Sequence, residues 1–562
     1  MGWPVFGRHR IRATQFSMSI PAILASTYII SILGLFVFIA SLRKGGTQSR
    51  PDGGNVIFEP GEIGTVEDPS LDRPGRRALQ DSLSATDGTG ADPNARTDMS
   101  VRIEGDRSSR GVALALWGSA TFWLLVGSIF GLISSIKLHH PDWLVNEAWL
   151  TFGRTRIVHL NAVAYGWTAM AALATATWML PRLLRTPLRG AGFSYLGTVL
   201  WNIGLAAGLI YIATSGNEAL EWLEIPWRIG VLFAIGGALI GVPLLKMLPR
   251  ARVDHLYVSV WYIGAALFWF PILYLVAKMP GLHTGIEYAT MNWWYGHNVL
   301  GYFFTPMALA AVYYLVPKVI GRPIRSYDLS LLGFWTLAFF YGQVGAHHLI
   351  GGPVPSWLVT LSIVQSVMMV IPVIAFSVNQ HQTMRGHFGA LAHSQVLRFV
   401  LFGAVMYTVS SVQGSMQALR FINNTTHFTH FTVAHAHLGM YGFVAMVLFG
   451  AAYFIMPRVL DVEWPRPRLI SLHFYLVVGG FAVYLMLLSV GGWLQGTALL
   501  DASRPFIDSV TVTWPYLQGR SLGGLLMTLG HFVFAWHLCL MIGARLGLSR
   551  RRAVKPLPLS EI

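Results

Sequence analysis

The chain has 562 residues, of which 54% are hydrophobic and only 12% are charged, and its mean hydropathy is +0.53. A soluble globular domain carries about twice that share of charged residues. The composition therefore excludes a soluble enzyme and indicates an all-α polytopic membrane protein. The formal net charge of +15 does not indicate a nucleic-acid partner, because the basic residues lie in short segments between apolar runs, as they do in membrane proteins.

Apolar runs predict one N-terminal helix and a core of twelve spans. Residues 1–41 are predicted to form a membrane anchor, with its helix at 17–41. Arginines at positions 8, 10 and 12 would also fit a signal sequence, but no cleavage site is evident and the apolar run is long. The polar segment 42–110 is predicted to be a disordered linker. The twelve core spans are predicted at 111–137, 155–181, 190–215, 227–247, 255–278, 290–317, 327–350, 356–379, 394–419, 430–456, 470–495 and 520–545.

The charges between the spans predict the orientation of the core, 111–545. Lysines and arginines concentrate after the even-numbered spans and in the tail, 546–562, whereas the connection after span 3 carries Glu218, Glu221 and Glu224. Basic loops stay on the cytoplasmic side. The sequence therefore predicts a multi-pass protein of a bacterial cytoplasmic membrane, with a cytoplasmic C-terminus.

With this orientation, six histidines from four spans fall at one depth near the outer surface. They are His159 on span 2, His297 on span 6, His347 and His348 on span 7, and His435 and His437 on span 10. An ionisable residue inside a membrane span is a functional candidate. Neutral imidazole binds haem iron, copper and zinc alike, so the histidine layer predicts metal sites.

The two histidines of span 10 are two residues apart, within the sequence HAH. On an α-helix, such residues point about 200° apart, so His435 and His437 are predicted to serve two different centres. The three histidines of spans 6 and 7 suit a three-imidazole copper site. The remaining three suit one haem with two axial histidines and one five-coordinate haem, and an open haem iron beside copper is a site for reducing dioxygen.

A tyrosine adds to this pattern. Tyr341 lies seven residues before His348 and is predicted to share its face of an α-helix, where the phenol could supply a proton and an electron. The single cysteine, Cys539, lies in the last span, and the chain has no C-x-x-C-H motif. Any covalently bound c-type haem must therefore belong to another subunit.

These motifs resemble those of subunit I of the haem–copper oxidase superfamily, most closely its cbb3-type members, over residues 111–545. The resemblance implies that His159 and His437 bind low-spin haem b, that His435 binds high-spin haem b3, and that the other three histidines hold copper. It also implies that Tyr341 is the redox tyrosine. The implied function is reduction of O2 to water with electrons from c-type cytochrome subunits, coupled to proton uptake and translocation.

Two other functions fit parts of this pattern. Nitric oxide reductases share the HxH helix and the paired histidines, but resemblance to them would require a glutamate at position 301, where this chain has Gly301. A carboxylate favours iron, while an all-imidazole site favours copper. A transition-metal transporter would show carboxylates near the membrane midplane, which this histidine layer lacks. The sequence favours the oxidase.

The resemblance also implies secondary sites and shows departures. Arg420 and His427 would contact haem propionates, and Glu218 would join a calcium ion near them. Hydroxyl-bearing residues on spans 6 and 7 would line one proton path: Tyr313, Tyr314, Tyr327, Ser330 and Thr336. Gln413 stands where the cbb3 pattern usually has a glutamate, and it cannot titrate. His430 stands where an acidic residue is common, and His537 replaces a usual asparagine.

Overall fold

The computed structural model describes residues 93–547, and these form a helical bundle in which twelve helices are long and apolar enough to cross a membrane. The predicted number of core spans is thereby confirmed. Helices satisfy their backbone hydrogen bonds internally, which the lipid interior requires. We label the spans α1 to α12 in chain order: Ile103–Lys137, Phe152–Leu184, Ala191–Thr214, Trp227–Arg250, Val258–Lys278, Ile286–Ile320, Tyr327–Leu349, Ser356–Met384, Gln395–Ala418, His430–Leu460, Arg468–Leu500 and Ile507–Arg545.

The chain is helical well before residue 111, where the first core span was predicted to begin. The helix that contains α1 starts at Pro93, so the prediction of a disordered linker is wrong for 93–110. The physical reason is that polar residues of this segment find partners in the bundle. Asp106 forms an ion pair with Arg182, and Arg110 lies 2.6 Å from Asp461. The predicted anchor, the rest of the linker and most of the tail lie outside the described residues.

Three helices form the centre of the bundle. The most apolar stretches of α10, α6 and α2 are 94%, 83% and 78% buried, whereas those of the other spans are 39–61% buried. The central helices carry His159, His297, His435 and His437, and α7 contributes His347 and His348 at its end. We call the end of the bundle that holds these residues the histidine end, and the other the opposite end.

Regular α-helical geometry is interrupted beside the histidines. A π-helical segment follows shortly after the histidine or histidines of each central helix, at Ala162–Thr168, Leu300–Phe304 and Leu438–Ala445. The end of α7 is a 3₁₀ helix, Tyr341–Leu349. Such local changes of helix type are frequent at functional sites. Between α8 and α9, the chain forms a 3₁₀ turn at Phe388–Ala392.

Candidate metal centre

His435 and His437 point to different neighbours, as their spacing predicts. The Nδ1 atom of His435 lies 3.0 Å from the amide oxygen of Gln413 on α9, whereas the ring of His437 faces His159 on α2. Helix α10 therefore separates two histidine sites, one on each side of it.

The site formed by His159 and His437 has the geometry of a pair of axial ligands. The two rings are nearly parallel, at 9°, and their centroids are 6.4 Å apart. A metal ion held between the two rings would need two metal–nitrogen bonds of about 2.0–2.1 Å each. The sum of these bonds and the distance from each ring centroid to its nitrogen is close to the observed separation. His159 Nδ1 donates to the carbonyl of Gly127 (2.7 Å), and His437 Nδ1 donates to the carbonyl of Val433 (2.9 Å). Both Nε2 atoms are therefore unprotonated and able to bind a metal, and the Tyr484 hydroxyl lies 3.3 Å from that of His437.

On the other side of α10, a hydrogen bond from Nδ1 fixes the tautomer of His435 in the same way. Its Nδ1–H donates to Gln413 Oε1, which leaves Nε2 as the free acceptor. Gly414 keeps the space beside this ring clear, because a β-carbon there would lie 2.9 Å from Cε1 and 3.1 Å from Nε2. The site thus fits a five-coordinate haem with one histidine ligand.

Three histidines form a compact metal site between α6 and α7. The ligand atoms of His297, His347 and His348 all lie within 4.8 Å of one another. The rings of His297 and His347 are 4.8 Å apart, and His348 stacks on Trp293 at 4.1 Å. Nδ1 of His297 is buried and has no hydrogen-bond partner among residues 93–547. An unpaired buried nitrogen in a three-imidazole cluster fits a metal such as copper.

Two serines of α8 fix the orientation of His347. Ser362 Oγ accepts from the backbone N–H of His347 at 2.8 Å, and Ser366 Oγ lies 2.8 Å from its Nδ1. Because Ser366 donates its own proton to the carbonyl of Ser362 (2.7 Å), it must accept from His347 Nδ1–H. The Nε2 atom of His347 is then the metal-binding atom.

Tyr341 lies against this site, although its helical segment is not of the predicted type. The prediction assumed an α-helix, whereas Tyr341 begins a 3₁₀ segment, in which seven residues span two and one-third turns. Its ring instead lies 5.3 Å from the ring of His297. It also covers Gly301, where any β-carbon would overlap the tyrosine ring.

A buried arginine that the sequence analysis did not single out lies in the histidine layer. Arg520 of α12 is only 8% exposed, its guanidinium lies over the ring of Tyr484 at 5.1 Å, and its Nε has no hydrogen-bond partner in the described part of the chain. Tyr484 in turn lies 3.3 Å from His437 Nε2. A buried guanidinium requires an anion, so Arg520 fits the carboxylate edge of a haem. An arginine inside an apolar span was the signal that could have revealed it.

Arg420 and His427, the two predicted propionate contacts, are less suitable partners for a haem carboxylate than Arg520. Arg420 is exposed and donates to Thr360 Oγ1 at 3.0 Å. His427 stacks on Phe428 and hydrogen-bonds the backbone of His348. Burial lowers the pKa of His427, which favours the neutral imidazole over the cation that a propionate would attract.

The predicted proton-path residues do not form one continuous group. The hydroxyls of Tyr327, Ser330 and Thr336 each donate to a backbone carbonyl, and Tyr314 packs edge-on against Trp178 at 5.9 Å. Tyr313 is fully buried, and the ring of Phe376 packs against both Tyr313 and Tyr407 of α9, which the sequence analysis missed, at 5.5 Å and 5.1 Å. The buried hydroxyls near the site thus lie on α6 and α9, and not on α6 and α7 as predicted.

The loop between α3 and α4 does not fit the calcium ion expected at Glu218. Glu218 forms an ion pair with the buried ammonium of Lys278, and its other oxygen accepts from the backbone N–H of Trp227 at 2.6 Å. Lys278 Nζ also donates to the carbonyl of Leu223 at 2.5 Å. The Lys278 ammonium already bonds Glu218 and this carbonyl, so Glu218 is poorly suited to be a calcium ligand.

Comparison with known proteins identifies the family. The family model described as "Cytochrome C and Quinol oxidase polypeptide I" matches residues 111–526. This chain belongs to that family. It is 31% identical over 434 residues to the cbb3-type cytochrome c oxidase subunit CcoN1 of Stutzerimonas stutzeri, covering 74% of this chain and 91% of the relative. It is thus similar to the cbb3-type branch that its motifs resemble.

Two further comparisons agree with this family assignment. A nitric oxide reductase subunit of Stutzerimonas stutzeri is more distant, at 24% identity over 72% of this chain and 90% of the relative. A solved structure described as a heme-copper terminal oxidase dimer has a TM-score of 0.63 at 17% identity, and the match covers 80% of this chain and 86% of that one. The fold is therefore that of haem–copper oxidases, and the family implies that the chain binds haem and copper.

Proposed function

We propose that this chain is the catalytic subunit of a cbb3-type respiratory oxidase, which reduces O2 to water with electrons from cytochrome c and couples this reaction to proton uptake and translocation. The three-histidine cluster carries the proposal. Its ligand atoms lie within 4.8 Å of one another, Tyr341 contacts His297, and position 301 is a glycine and not a carboxylate. This donor set favours copper over non-haem iron.

The histidines divide among three metal sites in this proposal. His159 and His437 hold low-spin haem b, His435 holds high-spin haem b3, and the three-histidine cluster holds copper, the ion usually written CuB. When bound, these groups supply the electron transfer and the binding of O2. Arg520 is our candidate for the partner of a haem propionate.

The side chains around the metals orient ligands and deliver protons. Gln413 and Ser366 fix the tautomers of His435 and His347, as the hydrogen bonds above require. The phenol of Tyr341 can donate its proton next to His297. Tyr407 and Tyr313 are our candidates for replacing that proton from the opposite end of the bundle, because both are buried and both pack against Phe376.

The proposed membrane orientation and source of electrons rest on the sequence. Basic loops at the opposite end support our proposal that this end and the C-terminus lie in the cytoplasm of a bacterial cell, with the histidine end facing outward. Because the chain has no c-type haem motif, the electrons would come through c-type cytochrome subunits of the same complex.

The purified complex tests this proposal directly. We expect haem b absorption bands in the visible spectrum, one copper ion per two b-type haems by elemental analysis and haem quantification, and O2 consumption with reduced cytochrome c. Non-haem iron in place of copper, together with faster reduction of nitric oxide than of O2, would indicate a nitric oxide reductase. A preparation without haem would exclude both enzymes and leave the transporter.

A further inference from the structure

An open cavity of about 520 Å³ lies at the histidine end of the bundle. It is enclosed by the loop between α3 and α4, the first residue of α4, the last residue of α5, the loop 280–285 and the first turn of α6. Lys278 is its most buried lining residue, and we call it the Lys278 cavity. Its lining residues are distinct from the six histidines of the metal sites. Small-molecule sites commonly have volumes of about 300–1,000 Å³, so the cavity is large enough for a ligand.

The floor of the Lys278 cavity carries one positive and one negative group side by side. Lys278 Nζ donates to Glu218 and to the carbonyl of Leu223, the latter at 2.5 Å. Because an ammonium has three N–H donors, one remains for a ligand. Glu218 also accepts from the backbone N–H of Trp227 at 2.6 Å, and a carboxylate has about four acceptor positions. The floor is therefore neutral overall, and it can still donate and accept hydrogen bonds.

The loop 280–285 is shaped by two glycines and fixed by a hydrogen bond. Gly281 and Gly285 have φ angles of 76° and 55°, in a region that residues with a side chain rarely adopt. His283 Nε2 donates to the carbonyl of Val276 on α5 at 3.0 Å. This loop contributes Thr284 to the lining, and α6 contributes Tyr288. Two hydroxyl groups and one ammonium N–H are thus available to an anionic group in the cavity.

Two exposed apolar stripes run along the surface of the bundle from the Lys278 cavity. One follows α5 and ends just after it, with spacings of four, three and four residues: Phe268, Ile272, Leu275 and Met279. The other follows α4 at every fourth residue: Trp227, Val231 and Ile235. Such spacings place side chains on one face of a helix, and α4 packs beside α5. The cavity and the stripes together match an amphipathic ligand with a polar head and two apolar chains.

We propose that the Lys278 cavity binds the headgroup of a zwitterionic phospholipid with a primary ammonium, of the phosphatidylethanolamine type. The phosphate accepts hydrogen bonds from Lys278, Thr284 and Tyr288. The ammonium donates to Glu218 and contacts the ring of Trp227, and the two acyl chains lie along the stripes. Both the headgroup and the floor are neutral overall and carry one charge of each sign. An anionic phospholipid such as phosphatidylglycerol would instead bring an unpaired negative charge next to Glu218.

The alternative is that lipids only cover this surface, as they cover any exposed apolar helix face in a membrane. The two cases differ in headgroup selectivity, because a lipid held by its chains alone does not distinguish between headgroups. The proposal does not depend on the oxidase function, since the residues that carry it belong to none of the metal sites.

The experiment uses the complete purified complex after its lipids have been removed with detergent. Native mass spectrometry and thermal unfolding measure the binding of phosphatidylethanolamine and of phosphatidylglycerol with the same acyl chains. We expect phosphatidylethanolamine to bind more tightly and to raise the melting temperature more than phosphatidylglycerol does. O2 turnover and haem spectra are recorded on the same samples.

Two variants and one control test the cavity itself. The double variant Thr284→Val with Tyr288→Phe removes two donors to the phosphate and keeps the shape of the side chains, so the affinity for phosphatidylethanolamine should fall about tenfold or more. Trp227→Ala should also weaken binding. The matched control is Trp357→Ala, because Trp357 is also an exposed tryptophan at the start of a span at the histidine end but lies outside the cavity. This control should bind the lipid like the wild type.

Three results would overturn the proposal. Equal binding of both phospholipids to the wild type would show that lipids only cover the surface. Unchanged binding in both variants would show that the lipid lies elsewhere. Binding of glycerophosphoethanolamine, which lacks acyl chains, as tightly as the whole lipid would show that the stripes play no part. Any of these results with normal O2 turnover would leave the oxidase function intact, whereas a complex without haem would refute the oxidase function and leave the lipid site unaffected.

Discussion

The ring of Tyr341 occupies the space that any side chain at position 301 would need, because a β-carbon built on Gly301 would overlap it. Residues on two different helices, α6 and α7, are therefore interdependent. A tyrosine that packs on His297 from α7 requires glycine on α6. Gly301, which separates this chain from nitric oxide reductases in the sequence analysis, and Tyr341 are thus parts of one structural feature.

The first prediction follows from this contact. Gly301→Ala should displace Tyr341 from His297 and destabilise the protein by about 1–3 kcal/mol, as expected for overpacking. O2 turnover and the melting temperature should both fall. The control is Gly118→Ala on α1, where a β-carbon would meet no heavy atom within 4 Å. Wild-type turnover in Gly301→Ala would show that the position of Tyr341 does not matter for the reaction.

The second prediction concerns the division of the two histidines of α10. His435→Ala should remove the high-spin haem signal and leave most of the low-spin haem b, because His437 faces a different partner, His159. His437→Ala should do the reverse. Visible and electron paramagnetic resonance spectra of the purified variants measure both signals. Loss of the low-spin signal alone in His435→Ala would mean that the two assignments are exchanged.

The third prediction concerns Gln413, which accepts from His435 Nδ1–H at 3.0 Å. A carboxylate in its place would make the imidazole a stronger electron donor, so Gln413→Glu should lower the midpoint potential of the high-spin haem. Gln413→Leu should leave the histidine unoriented and reduce occupancy of that haem. Redox titration followed by visible spectroscopy measures both. An unchanged potential in Gln413→Glu would argue against this hydrogen bond in the working enzyme.

The fourth prediction is that the loop between α3 and α4 needs no calcium. Treatment of the wild-type complex with a calcium chelator should leave its melting temperature unchanged, because the Lys278 ammonium already neutralises Glu218. Lys278→Gln should destabilise the protein by about 1.5–3 kcal/mol, the range for hydrogen bonds to charged groups. Lys137→Gln is the matched control, because its buried ammonium bonds the backbone carbonyl of Trp143 and not a carboxylate, so this variant should destabilise the protein less than Lys278→Gln. A calcium ion that survives purification, and whose removal lowers the melting temperature, would contradict this prediction.

The fifth prediction concerns the pH dependence of stability. Glu224 is 2% exposed, and burial, with a smaller effect of Glu221, raises its pKa from 4.5 to about 7. The unfolded chain loses this proton near pH 4.5 but the folded chain keeps it up to about pH 7, so stability falls as the pH rises through that window, by at most about 3 kcal/mol. Glu224→Gln cannot ionise.

Thermal unfolding at pH 5 and pH 8 measures this effect. Glu224→Gln should stabilise the protein at pH 8 and have little effect at pH 5. The exposed Glu147 at the same end provides the control variant Glu147→Gln, which should change neither value. Equal stability of the wild type and Glu224→Gln at pH 8 would show that this carboxyl titrates normally.

Much of the fold and the histidine layer could be predicted from the sequence, because an ionisable residue in an apolar run is conspicuous without any knowledge of contacts. The twelve spans and the opposite directions of His435 and His437 follow from hydropathy and helix geometry. The ion pair between Lys278 and Glu218 could not be predicted, because its two residues are sixty positions apart and meet only in the folded bundle. Arg520 could have been recognised as an arginine inside an apolar span. Its role could not be predicted, because it depends on the neighbouring Tyr484.

Local helix geometry also limited what could be predicted from the sequence. The position of Tyr341 depends on a change from α-helix to 3₁₀ helix that no spacing rule predicts. Tyr313 and Tyr314 are adjacent in the sequence, yet Tyr313 packs on Phe376 beside Tyr407 whereas Tyr314 packs on Trp178, because helix rotation decides which neighbours each ring meets. The start of the first helix was placed too late because the ion pairs of Asp106 and Arg110 hold a polar segment in helical form.

The π-helical segments have a consequence for how these helices can change in evolution. Each wide turn accommodates about one extra residue, and one residue corresponds to about 100° of helix rotation. Removal of a single residue from Leu438–Ala445 would therefore swing His435 and His437 away from their partners while the far half of α10 stayed packed. Insertions and deletions at these three places should be far more damaging than substitutions, and alignments of related chains should show no gaps there.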